Sequence, residues 1–135
     1  GRFRGGLSLV RDIQYLGSEP CQLQIRSDRW KTMPYGLAGG YPGTPSMNVL
    51  NLGDEDERRL PAMVTEIIGQ GDVVRFLLPG GGGWGPPLER DAEAVARDVR
   101  DGKLTSAYVR EHYSVIVDGS GNLDAARTGE LRAAD

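Results

Sequence analysis

The nine-residue run Pro79-Gly80-Gly81-Gly82-Gly83-Trp84-Gly85-Pro86-Pro87 constrains this chain more than any other feature. Glycine loses the most backbone entropy on ordering, and proline lacks an N–H and blocks a helix interior. No ordinary helix or strand passes through such a run, so it closes off whatever precedes it. A second stretch, residues 28–51, carries Trp30, Pro34, Tyr35, Gly36, Gly39, Gly40, Tyr41, Pro42, Gly43 and Pro45 and is expected to be a long ordered loop. A segment without its own ladder satisfies its backbone polar groups by packing on a scaffold or a partner. With 20 glycines and 8 prolines in 135 residues the chain is loop-rich, yet 39% apolar residues argue against disorder and for one domain with a modest core.

Before the glycine run the pattern is that of strands. Leu7, Leu9, Ile13 and Tyr15 share the odd positions of residues 7–16, and Cys21, Leu23 and Ile25 alternate with Gln22, Gln24 and Arg26. With the turn 17–20 between them, these two read as a hairpin. Met47, Val49 and Leu50 offer a short strand, residues 53–59 a charged turn, and the apolar runs 60–68 and 73–78 a second hairpin across Gly69-Gln70-Gly71-Asp72. After the run the period changes. Asp91 is an N-cap for a helix to Arg100, with Ala94, Val95, Ala96 and Val99 as its stripe and Gly102 as terminator. Thr105 or Ser106 caps a helix to about Tyr113, residues 115–117 form a brief strand, and 123–134 a last helix weakened at Gly129. The expected fold class is α+β: a glycine-rich antiparallel β domain over residues 1–88, with a small helical tail over 89–135 packed on it.

Charge and composition narrow the chemistry. A net charge of -3 from 16 basic and 19 acidic residues, well mixed, leaves no basic face for nucleic acid or anionic lipid. No apolar run approaches a membrane span, and the lone Cys21 forms no internal disulfide, so a cytoplasmic setting is the default expectation. With His112 the only histidine, the chain cannot build a four-ligand Cys/His zinc site by itself, and no metal ligands are assigned. Cys21 reads as a buried inert thiol, His112 as structural or exposed, and Asp54 to Glu57 as a solvated acidic run. The glycine run lacks the Lys-Ser/Thr pair of a phosphate loop, and Pro86-Pro87 stands where an anion-binding helix would start, so a packed or flexible connection is the better reading. Trp30, Tyr35, Tyr41 and Trp84 build an interface or pocket, or else roof the core; the residues favour neither. No nucleophile and base can be paired, so the catalytic residues remain unassigned.

Several blocks in order carry a family resemblance. They are Gly1-Arg2-Phe3-Arg4-Gly5-Gly6, residues 35–43, Asn48-Val49-Leu50-Asn51, Gly71-Asp72-Val73-Val74, the glycine run, Arg90-Asp91 through Val95, Asp98-Val99, Gly102, and Tyr113-Ser114-Val115. The series resembles the C-terminal part of the hydantoinase B/oxoprolinase family and covers the chain to about Asp118. The resemblance implies an ATP-dependent enzyme in which a hydantoinase A-type partner binds nucleotide and the B-type region supplies substrate and metal environment. It places the metal-ligand carboxylates and histidines upstream of Gly1, so no cofactor is expected on this chain, and ATP and a divalent metal are expected elsewhere in the complex. The expected partners are the A-type subunit and the rest of the B-type subunit.

On that resemblance the chain is a C-terminal piece of a B-type subunit of an ATP-dependent cyclic-amide hydrolase, of the N-methylhydantoin or 5-oxoproline kind, serving as scaffold and interface. The start at Gly1 fits a fragment, a cleaved product or a split subunit. The alternatives are a split subunit of an acetone or acetophenone-type carboxylase and a non-catalytic interaction module. The expected substrate or interface contacts are Arg2, Arg4, Trp30, Tyr41, Gly80, Gly82 and Trp84, in the loops 36–43 and 80–85.

Overall fold

The structure, a computed structural model, describes residues 1–134; Asp135, the last residue of the expected tail, lies outside the described residues. Its antiparallel sheets and three α-helices make it α+β. The chain divides into two compact units, one of residues 6–34 and 42–81, the other of Gly1–Gly5, Tyr35–Tyr41 and the described residues from Gly82 onward.

The first unit is built from six strands: β1 (Val10–Gln14), β2 (Cys21–Arg26), β3 (Met47–Leu50), β4 (Arg58–Leu60), β5 (Met63–Ile68) and β6 (Val73–Leu77). One antiparallel sheet has the order β1-β6-β3-β4 and the other is the pair β2-β5. Leu50, Leu60 and Val74 from the larger sheet meet Ile25 and Ile68 from the smaller in a buried core, with Tyr15, Cys21, Leu23, Val64 and Phe76 packed around them. Sheet-on-sheet burial of β-branched and leucine side chains is the main stabilising term.

The strand segments fall close to where alternation puts them, but neither expected hairpin forms. β1 pairs with β6, and β2 with β5. β2 packs Cys21, Leu23 and Ile25 on the core, whereas β1 is exposed along its length and only Tyr15, just past its end, reaches the core; the two strands belong to opposite sheets instead of sharing an edge. Alternation specifies the buried face and leaves the neighbour open. At Gly69 to Asp72 the Asp72 carboxylate accepts from the Gly69 N–H at 2.7 Å, Gly71 takes φ +95°, and the chain passes to β1 through Tyr15 N–H to Asp72 O and Gly71 N–H to Tyr15 O. Pro61, which has no N–H, ends β4 and separates it from β5, and the charged turn already gives way to strand at Arg58. Cys21 is half-buried at the core margin.

Asn51 ties β3 to β6. In the left-handed conformation (φ 52°), it accepts from the Val73 N–H at 2.8 Å and donates to Asp56 at 2.7 Å and Asp72 at 2.9 Å. The Asn51 amide, and after it the Gly69 N–H, hold the Asp72 carboxyl below its ordinary 3.8.

In the second unit, α1 (Ala92–Arg100) starts at Asp91, whose carboxylate accepts from the Ala94 N–H at 2.9 Å. It ends before Gly102 at φ +69°. α2 (Ser106–Tyr113) is capped by Thr105, which accepts from the Tyr108 N–H. α3 (Ala125–Ala134) begins later than expected because Leu123 bridges to Val117 and Asp124 caps the Arg127 N–H. Val95, Val109, Tyr113 and Val115 form the second core, and burial is the main cause raising the Tyr113 hydroxyl pKa.

A carboxyl depressed in the folded state contributes stability that is present above its unfolded value and lost as pH falls through the folded one. Asp72→Asn is therefore expected to flatten the fall in urea midpoint between about pH 5 and about pH 2.5 relative to the parent. An unchanged pH slope would show that the Asn51–Asp72 tie contributes nothing measurable.

Candidate functional site

The site is assembled by backbone, within the unit that carries the helices. Residues 83–85 run as an extended middle segment between residues 2–3 and 37–41. Trp84 exchanges both hydrogen bonds with Phe3 at 2.9 Å. Gly83 accepts from the Leu37 N–H at 2.9 Å and donates to Tyr41 O at 2.9 Å, while Gly85 donates to Leu37 O at 3.0 Å and accepts from the Arg2 N–H at 3.0 Å. Every N–H and C=O of these three residues is thus used. The turn from Leu37 to Gly40 has positive φ at Ala38 (49°) and Gly39 (86°), the backbone of a tight primed turn.

This closeness explains the glycines. A Cβ on Gly40 would strike the Gly83 carbonyl, one on Gly82 the Tyr35 carbonyl, and one on Gly36 the Gly40 backbone. The run is closely packed, and the amides of Gly80, Gly81, Gly83, Trp84 and Gly85 are spent on protein carbonyls, unavailable to an anion.

Residues facing each other across a bridge share a sheet face. Trp84 is bridged to both Phe3 and Leu37, and the Phe3 and Trp84 rings lie 5.6 Å apart. All three side chains are about half exposed, at 58% for Phe3, 57% for Leu37 and 48% for Trp84. Arg2 lies 5.6 Å from the Phe3 ring centre and reaches Glu89 at 3.5 Å, an exposed pair of small energetic weight. Tyr41 stands edge-on to His112 at 6.2 Å, and His112 leans on Tyr108 at 4.2 Å.

Beneath this lies a buried charge. Asp98 on α1, 5% exposed, accepts from Arg4 at 3.0 and 3.3 Å and from Arg90 at 2.9 Å, with Lys103 at 3.8 Å. Arg90 also donates to Arg2 O at 3.2 Å, and Arg132 donates to Arg90 O at 2.9 Å. Two guanidinium groups on one buried carboxylate anchor residues 2–4 to the helices.

Of the expected contacts, Arg2, Arg4, Tyr41, Gly82 and Trp84 come together in this unit, with Arg4 committed to Asp98. Trp30 and Gly80 lie in the other unit. Trp30 is half exposed with Lys31 Nζ 4.9 Å from its ring, and Gly80 is buried with its N–H on Thr44 O at 3.2 Å. Phe3, Leu37 and Asp98 were missed. A carboxylate three residues after Val95, on the apolar face of a helix, signals a buried charge in need of a cation; nothing in sequence identifies that cation as Arg4. Among the described residues no three His, Cys, Asp or Glu side chains converge as a metal site, and no helix is long and apolar enough to cross a membrane.

The family model for hydantoinase B/oxoprolinase matches residues 1–87, the segment that supplies all three strands of the glycine ladder. The chain belongs to this family. It is 33% identical over 135 residues to an uncharacterized protein of Methanocaldococcus jannaschii, covering 98% of this chain and 23% of that one. Among solved structures it resembles the ATP-dependent caprolactamase from Pseudomonas jessenii, with 28% identity, a TM-score of 0.78, and coverage of 98% of this chain and 24% of that one. Acetone carboxylase shares the fold at a TM-score of 0.61 and 24% identity over 74% of this chain and 18% of that one. The chain spans about a quarter of the length of the M. jannaschii relative and of the caprolactamase chain.

Three substitutions check the packing account. Asp98→Ala leaves Arg4 and Arg90 uncompensated and is expected to cost about 3 kcal/mol in urea unfolding. Gly82→Ala is expected to cost about 1–3 kcal/mol by overpacking, whereas Gly129→Ala, in open space within α3, should stabilise by about 0.5–1 kcal/mol. Equal effects of the two alanines would refute the close-approach explanation.

Proposed function

We propose that this chain is the C-terminal portion of a B-type subunit of an ATP-dependent cyclic-amide hydrolase, and that it acts as scaffold and subunit interface. The observation that carries the reading is the Phe3–Trp84–Leu37 face, three large apolar side chains about half exposed on one face of the backbone ladder. A rigid aromatic cluster with Arg2 at its rim has the composition of an interface hot spot. Its partner on this reading is the hydantoinase A-type subunit, with ATP and the divalent metal bound elsewhere in the assembly.

The hydrolase branch is favoured because likeness to the caprolactamase extends over nearly the whole chain, helices included, and an ATP-dependent caprolactamase acts on a cyclic amide. Arg2, Tyr41, Gly82 and Trp84 would shape the contact, with Arg4 positioning the segment that carries Phe3. Trp30 and Gly80 remain contact candidates in the other unit.

Trp84→Ala in the assembled enzyme is expected to weaken A-type subunit binding by about 30-fold, the scale of one hot-spot truncation. Far-UV circular dichroism should be unchanged. ATP-dependent lactam or hydantoin turnover should fall at limiting A-type subunit and recover at saturation. Unchanged subunit affinity would remove the interface reading, and turnover of ketone plus bicarbonate in place of cyclic amide would move the protein to the carboxylase branch.

A further inference from the structure

In the strand-built unit, a four-stranded sheet faces a sheet of only two strands. Two residues, Pro61 and Ala62, link β4 to β5, so β5 lies on the β4 side of the sandwich. β2 comes next, over β3 and β6: Gln24, Ile25 and Arg26 share a groove of ≈ 380 Å³ with Asn48, Phe76, Leu77, Leu78 and Pro79. Among the described residues the position beyond β2, opposite β6 and β1, holds no strand, and none pairs with the edge of β2 away from β5.

On the face toward that position the apolar side chains are uncovered, with the exposed Arg11 standing between Leu9 and Ile13. Ile13 is the registered partner of Val74, and Arg11 of Phe76, so the odd positions of β1 share the core face. Pairing continues past the strand end, where the Leu78 N–H donates to Leu9 O at 2.8 Å. Yet Leu9 is 52% exposed, Ile13 49% and Leu78 40%, whereas Val74 beside them is 2% exposed. A strand alternates in this way when one face is to be buried, and an unpaired edge beside an apolar groove is the setting for strand addition.

We infer that an extended segment of the B-type region outside residues 1–135 adds to the free edge of β2 and covers Leu9, Ile13 and Leu78, completing the smaller sheet. This rests on the reading of the chain as part of a larger B-type subunit. The observation that selects this occupant is length: more than three quarters of the M. jannaschii relative and of the caprolactamase chain lies outside the part this chain matches. A segment of the same subunit reaches the edge without the entropy cost of a separate association.

The test places the photo-reactive residue p-benzoylphenylalanine at Ile13 in the assembled enzyme and maps its cross-links by mass spectrometry. The expected product joins Ile13 to a B-type peptide outside residues 1–135. Hydrogen exchange of the same assembly should show the outward-facing amides of β2 slowed by ~100-fold or more relative to the exposed turn at residues 54–57. Cross-links to the A-type subunit, to a second copy of residues 1–135, or to neighbouring residues alone would overturn the inference, as would fast exchange along β2. ATP-dependent turnover of the unmodified complex reports separately: the expected cross-link without cyclic-amide turnover removes the functional reading and leaves the added strand. Turnover with the cross-link elsewhere removes the added strand alone.

Discussion

Backbone contact that admits no Cβ organises the unit bearing the glycine run. Gly83, Trp84 and Gly85 place six polar groups on residues 2–3, 37 and 41, on both sides of the segment. Each such group left unpaired in a buried setting costs about 1–3 kcal/mol, so the three segments order together. Residues 35–41 have no ladder of their own to order them, and they are held by pairing with the glycine strand. The one large side chain in the middle segment, that of Trp84, is about half exposed.

Polar anchors carry much of the remaining organisation, because neither apolar core is large. The buried residues of the strand-built core number five and those of the helical core four. Asn51 fastens the end of β3 to the start of β6, and Asp98 fastens residue 4 and residue 90 to α1. Both are buried polar groups whose partners arrive from distant positions. Breaking either leaves desolvated hydrogen-bonding groups behind, which is where a loop-rich chain of this size is most sensitive.

The helical part was readable nearly residue by residue. Asp91, Thr105 and Gly102 act locally, within a turn of the backbone groups they satisfy, so their roles are visible in a window of a few residues. The strand segments were readable in position and face, and misread in partnership. Leu9, Ile13 and Tyr15 mark an apolar face, of which Leu9 and Ile13 stay about half exposed, and nothing local distinguishes β6 from β2 as the neighbour. The candidate site stands between these cases. Of the expected contacts, Arg2, Arg4, Tyr41, Gly82 and Trp84 lie in the helical unit and Trp30 and Gly80 in the other; Phe3, Leu37 and Asp98, quoted only as parts of blocks, show their places through the bridges to Trp84 and the pairing with Arg4.

Sequence alone therefore determined the α+β class, the helix limits to within two residues, the alternating faces of the strands and the family. Each of these rests on periodicity, on capping chemistry or on an ordered series of motifs. Tertiary structure decided which strands are neighbours, why the glycines are glycines, and that Arg4 and Arg90 share one carboxylate. The decisive contacts bring together residues far apart in sequence, such as Arg4 and Asp98 at a separation of 94, and a local pattern records that a close contact is needed without recording what it touches.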